Sequence, residues 1–104
     1  MSRPDPAAIF AALGDPTRLM LLDRLGGGEQ PLAALVQGMD ISRQGIAKHL
    51  AVLEAAGLVV SHTSGRERRF RLRDGGITSA QDYLARIARG WEDTLARLKA
   101  HVER

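Results

Sequence analysis

Residues 42–73 read SRQGIAKHLAVLEAAGLVVSHTSGRERRFRLR, and a change of period inside this stretch decides the fold. Ile46, Leu50 and Leu53 recur at helical spacing, so the first half is an amphipathic helix with one buried stripe. Ser42 stands where an N-cap belongs. Gly57 suits the left-handed position that ends a helix, with Leu58 folding back on Leu53. Beyond Gly57 the period drops to two. Arg69, Arg71 and Arg73 alternate with Phe70 and Leu72, as in a strand with one wet and one buried face. The turn Ser64-Gly65-Arg66-Glu67 joins that strand to another over residues 58–63, giving a hairpin.

Charge is concentrated in the same stretch. The chain holds 15 basic and 12 acidic residues, for a net charge of +3. Residues 42–73 hold seven of the basic ones (Arg43, Lys48, Arg66, Arg68, Arg69, Arg71, Arg73) and two acidic (Glu54, Glu67), a local net of +5 that leaves −2 for the remainder. Such a footprint is what a surface facing a polyanion requires. An arginine-rich hairpin alone is as often a solvated face; beside this helix it gains a second, independent basic element.

Working outward, Pro6 to Leu13 reads as a short helix with Ile9, Phe10 and Leu13 on one side. Asp15 caps a second helix that opens on Pro16, turns Leu19, Leu22 and Leu25 inward and stops at Gly26-Gly27-Gly28. Pro31 opens a short third helix carrying Leu32, Leu35 and Val36, and a tight turn through Gly38 leads to Ser42. Thr78 and Gln81 have capping-box spacing before a last helix over about residues 79–103. Its apolar positions are Leu84, Ile87, Trp91, Leu95, Leu98 and Val102, spaced 3-4-4-3-4. The predicted architecture is mainly α with a small β-hairpin wing: a winged helix-turn-helix of five helices, one domain over residues 1–104. The helix-turn-helix spans about 31–57 and the wing about 58–73.

In that architecture the fourth helix enters a DNA major groove. Arg43 and Gln44 lie in its first turn, where side chains meet base edges, and Arg pairs with guanine as Gln does with adenine. Ser42 and the helix start suit a phosphate. Gly45 and Lys48 share the outer face, and Arg66 and Arg68 on the wing add backbone contacts.

The motifs Asp15-Pro16-Thr17-Arg18-Leu19, His49-Leu50-Ala51-Val52-Leu53-Glu54-Ala55-Ala56-Gly57-Leu58-Val59, Gly65-Arg66 and Phe70-Arg71-Leu72 resemble the ArsR family of bacterial transcriptional regulators over about residues 7–100. The resemblance implies a homodimeric repressor, paired through its first and last helices, bound to a palindromic double-stranded operator. Ile9, Phe10, Leu84, Ile87, Trp91, Leu95 and Leu98 are then the interface residues. The last-helix stripe is longer than one small core can cover, which favours a partner helix, although Trp91 itself fits a subunit interface and an intramolecular core equally well. Gly90 beside it would allow close approach. His49 takes the family position for packing or a phosphate contact.

Metal sensing is not expected. The two cysteine positions of the family's thiolate motif fall on Pro31 and Ala33, and the chain contains no cysteine at all. The last helix carries Asp82, Glu92, Asp93, His101 and Glu103 without the Asp-x-His start that the family's other site uses. No paired carboxylates or nucleophile–base sets stand at catalytic spacing, so no enzyme activity and no cofactor are expected. No pocket for a small-molecule effector is readable. The start of the chain lacks a long apolar stretch, and no run approaches a membrane span, which points to an intracellular protein. A winged helix can also serve as a module that binds protein or RNA. The feature separating the two is a basic helix start combined with a basic wing.

Overall fold

In the computed structural model, residues 5–103 are described; residues 1–4 and 104, which include the start read above for a secretion signal, lie outside them. Five helices and three short strands follow in the order α1 (Pro6–Leu13), α2 (Pro16–Leu25), β1 (Gln30–Pro31), α3 (Leu32–Val36), α4 (Arg43–Ala55), β2 (Val59–Ser64), β3 (Glu67–Leu72) and α5 (Thr78–Val102). The chain is mainly α with a small β wing, as its periodicity predicts. Among the described residues, no helix is long and apolar enough to cross a membrane.

Local chemistry sets most boundaries. Asp5 starts α1 by accepting from the Ala7 amide at 3.0 Å. Asp15 starts α2 by accepting from the amides of Thr17 (2.8 Å) and Arg18 (3.1 Å), with Pro16 in the first turn, where no N–H is missed. Ser42 caps α4 through the Gly45 amide at 3.0 Å. At the other end of α4, Gly57 takes φ +77°. The Leu58 amide donates to Leu53 and the Gly57 amide to Glu54, each at 3.0 Å, which is a Schellman ending with Leu58 and Leu53 both buried. One expected cap is absent: the residue before α5 is Ile77, without a side-chain cap, and Thr78 is already helical. The helix instead grows out of a turn in which the Thr78 amide donates to Gly75 at 3.2 Å.

The core gathers Ile9 and Ala12 of α1, Leu21 and Leu25 of α2, Leu35 of α3, the stripe Ile46, Leu50 and Leu53 of α4, and Leu58, Val59, Phe70 and Ala80. Three expectations are corrected here. On α2 the inward residue is Leu21, and Leu19 is 46% exposed. Four consecutive apolar residues, 19–22, fit two helical stripes, and packing against α4 selects the one through Leu21 and Leu25. Ile9, expected between subunits, is fully enclosed in the chain's own core. Leu72, expected on a buried strand face, is 39% exposed at the last position of β3, although its partner Val59 on β2 is buried.

The predicted hairpin forms from β2 and β3, and β1 extends it to a three-stranded antiparallel sheet in the order β1-β3-β2. Ser64 pairs with Glu67 across the two-residue turn Gly65-Arg66, where Gly65 holds φ +63°. The missed strand, β1, pairs Gln30 with Phe70 and Pro31 with Arg69. Near the root of the wing, Gly76 is buried against the end of α4, so close that a Cβ on it would stand 2.7 Å from the Gly57 carbonyl oxygen.

Candidate nucleic-acid interface

α4 is held by its apolar side and free on the other. Ile46, Leu50 and Leu53 are fully buried, while Arg43, Gln44 and Lys48 are exposed and, among the described residues, their side chains form no hydrogen bond or ion pair. Ile41 precedes the cap and packs on the core, as Ile46 does from the first full turn, a hydrophobic staple that fixes the angle at which the chain enters α4. The Ser42 hydroxyl accepts from Gly45, which leaves its own proton available to an oxygen outside the chain. A Cβ at Gly45 would approach Ile41 Cγ2 to 2.6 Å, so this glycine also makes room for the staple.

The arginines divide by partner. Arg66, at the turn of the wing, is exposed and unpaired among the described residues, as are Arg71 and Arg73. Arg68, expected to reach a DNA backbone, is turned back into the protein. It donates to the Ser61 hydroxyl at 2.8 Å, lies 3.9 Å from the Glu54 carboxylate and sits 5.9 Å over the Phe70 ring. Ser61 in turn donates to Glu54 at 3.0 Å, so Arg68 ties the wing to the last turn of α4. Arg69 donates to Glu29 at 2.8 Å and to Glu67 at 3.0 Å. Glu29 also meets His62 Nε2 at 2.8 Å. The Arg69 guanidinium, then the His62 ring, hold the Glu29 carboxyl below the usual carboxylate range. The seven basic residues of 42–73 thus sort into five with unpaired side chains among the described residues, Arg43, Lys48, Arg66, Arg71 and Arg73, and two committed to the fold.

Two arginines of α2 brace the helix-turn-helix, and periodicity gives neither of them. Arg24 Nη1 donates to the carbonyls of Leu35 (2.9 Å) and Gln37 (2.6 Å), satisfying the open end of α3 where the turn begins. Arg18 does the same for α1, with Nε to Ala12 (2.6 Å) and Nη2 to Ala11 (3.2 Å), while its Nη1 lies 3.1 Å from Nδ1 of His49 on α4. The motif containing Asp15 and Arg18 is visible in the sequence, but its carbonyl partners are set by tertiary packing. Hydrogen bonds from Arg18 and Thr17 amides, partly offset by burial, keep the Asp15 carboxyl below its ordinary value.

The expected interface residues other than Ile9 lie on α1 and α5 and differ in exposure. Phe10 is half-buried with its ring centroid 5.9 Å from that of Tyr83, joining α1 to α5 within the chain. Trp91 is 69% exposed, so it belongs to no core of this chain, and Leu84, Leu95 and Leu98 are exposed beside it, with Ile87 half-buried. Among the described residues, no three His, Asp or Glu side chains cluster as metal ligands would.

A short helix, a turn and a core-anchored helix with a free polar face, flanked by a basic β wing, define a winged helix-turn-helix, the scaffold of DNA-binding regulators. Comparison with known proteins agrees. Residues 13–62 match the model of a helix-turn-helix domain. The HTH-type transcriptional regulator YuzN of Bacillus subtilis is 48% identical over 68 residues, covering 59% of this chain and 74% of that one. The transcriptional repressor SdpR of Bacillus subtilis is 34% identical over 58 residues, 56% of this chain and 64% of its own. A crystal structure of an ArsR family transcriptional regulator superposes with a TM-score of 0.79 at 32% identity, over 88% of this chain and 95% of the other. The chain belongs to the ArsR family of DNA-binding transcriptional regulators.

Proposed function

We propose that this regulator is a homodimeric repressor, working in the cytoplasm, that reads a palindromic operator with the first turn of α4. The observation that carries the reading is the pairing of a core-locked helix with unpaired Arg43, Gln44 and Lys48 on its outer face. Arg43 and Gln44 meet base edges; Ser42, Lys48 and Arg66 meet phosphates. A neutral Gly45 surface lets the backbone of α4 approach the groove. Repression follows from occupying the operator, and the similarity to SdpR favours that sign of regulation.

The dimer is supported by the spacing of the stripe on α5. Leu84 and Leu98 each lie seven residues from Trp91, and Ile87 and Leu95 each lie four. A pattern that reads the same in both directions about Trp91 matches itself in an antiparallel copy, which is what an isologous two-fold interface needs. Phe10 joins this surface from α1. Two α4 helices related by that axis would sit about one DNA turn apart, roughly 34 Å. Pro31 and Ala33 replace the family's thiolates, so operator release does not run through those sites.

The test is selection of bound genomic fragments by the purified protein, with and without chelator, followed by variants on the recovered operator. A palindrome recovered equally in both conditions is expected. Arg43→Ala or Gln44→Ala should relax its sequence, whereas Arg66→Ala should weaken all DNA alike and reduce the salt slope by about one. Arg68→Ala should leave that slope in place, since its guanidinium is engaged by Ser61 and Glu54. Equal losses from Arg43 and Arg66 on operator and random duplex would contradict the division of roles.

A further inference from the structure

The contact between Arg18 and His49 fixes the position of a proton. Arg18 Nη1 lies 3.1 Å from Nδ1 of the imidazole. A guanidinium has donors only, so Nδ1 accepts and carries no hydrogen. A neutral ring with a bare Nδ1 bears its proton on Nε2. The Asp15 carboxylate stands 3.9 Å from the same Nδ1, beyond hydrogen-bonding reach, and its Oδ1 is occupied by the Thr17 and Arg18 amides. Among the described residues nothing bonds to Nε2, and no part-buried residue leaves a side-chain nitrogen or oxygen both enclosed and unpartnered. The Nε2–H therefore opens to solvent. Along α4 it follows Ser42 and Gly45 at spacings of three and four, on the line that runs back from the helix start.

Building on the reading of α4 as the DNA-facing helix, we propose that His49 is a neutral hydrogen-bond donor to a DNA backbone phosphate. Arg18 holds it in the Nε2–H tautomer and is thereby a positioning residue for DNA binding. Arg18 is itself immobilised by the Ala11 and Ala12 carbonyls, so the end of α1, the start of α2 and the middle of α4 jointly orient one ring. A neutral donor behaves differently from Lys48 or Arg66. It cancels no phosphate charge and releases no counterion, so it adds affinity without adding salt dependence.

The experiment uses the intact protein and a fixed random-sequence duplex, with affinity followed by fluorescence anisotropy over a salt series. His49→Asn keeps an acceptor near the position of Nδ1 but has no outer donor; His49→Gln puts an amide N–H near the position of Nε2. His49→Asn should lose about tenfold in affinity at every salt concentration with an unchanged log–log slope, and His49→Gln should retain most of the binding. Ring ¹⁵N spectra of the free protein should show His49 protonated on Nε2. Arg18→Lys, folded by circular dichroism, should shift that ring toward a mixture of tautomers. Should Arg18→Lys not fold, the Asn and Gln pair and the wild-type ring spectrum decide alone. A reduced slope in His49→Asn would mark a cationic contact and overturn the proposal, as would full affinity in that variant or a proton on Nδ1. A wild-type protein without salt-dependent DNA binding would instead remove the reading of α4 itself.

Discussion

Two glycines near α4 differ in what surrounds them, and their substitution separates two physical roles. A Cβ on Gly76 meets backbone: the Gly57 carbonyl oxygen at 2.7 Å, that of Arg73 at 3.1 Å and Leu58 Cα at 3.3 Å. Backbone cannot rotate away, so Gly76→Ala should cost roughly 1–3 kcal/mol, read as a lower urea midpoint at unchanged slope. A Cβ on Gly45 meets side chains instead, the Cγ2 methyl branch of Ile41 at 2.6 Å and the Ser42 hydroxyl at 3.3 Å, so relief takes a shift of Ile41 that offsets the roughly 1 kcal/mol of helix propensity alanine gains over glycine. Gly45→Ala should therefore stay near neutral in stability, and any DNA defect it causes belongs to the interface. At this scale the sequence is legible where partners are near in the chain. Asp15, Ser42 and Gly57 act on amides or carbonyls within a few residues, and each does what its position announces. Arg18 and Arg68 act across the fold, and nothing local distinguishes them from Arg43 or Arg66.

Among the elements, β1 shows what pattern reading misses. Two residues are too short to display alternation, and their partners on β3 lie 38 and 40 positions away. Glu29, just before β1, anchors this strand to Arg69 of β3 and His62 of β2. Its carboxyl is held below the ordinary 4.5, first by Arg69 and then by His62. A carboxylate with a lowered folded-state pKa stabilises the fold fully above that ordinary value and loses its contribution as pH falls through the lowered one. The wild-type protein should accordingly lose stability on acidification below about 4.5, and Glu29→Gln should show a flatter acid limb, followed as thermal midpoints across acid pH. The helices are legible from their apolar stripes, with side-chain caps marking the starts of α1, α2 and α4; the stripe of α2 alone is ambiguous, since its run of four apolar residues offers two faces.

The whole molecule is longer than its core requires. Its Cα radius of gyration is 18.3 Å over extents of 68 × 34 × 21 Å, where a compact chain of this length would have a radius of about 13 Å. The excess is α5, 25 residues and about 37 Å long, whose apolar stripe is exposed over most of its length. Placing a charge there should prevent pairing: Leu95→Glu is expected to sediment as a monomer and bind operator far more weakly. Trp91 is the chain's single tryptophan, so its emission should move to the red in the same variant. A folded dimer of Leu95→Glu in light scattering would remove the stripe from the interface. The stripe could be read from residue spacing, whereas its exposure could not, because the sequence does not say that α1 covers only the first turns of α5.

Gly76, wedged against the carbonyl of Gly57, leaves no slack between the end of α4 and the start of α5. In the proposed dimer the distance from one recognition helix to the other is then a fixed gauge rather than an adjustable arm. Each base pair inserted between half-sites displaces one of them by about 3.4 Å and swings it about 35° around the duplex. An operator lengthened or shortened by a single base pair should consequently be bound no better than one half-site alone.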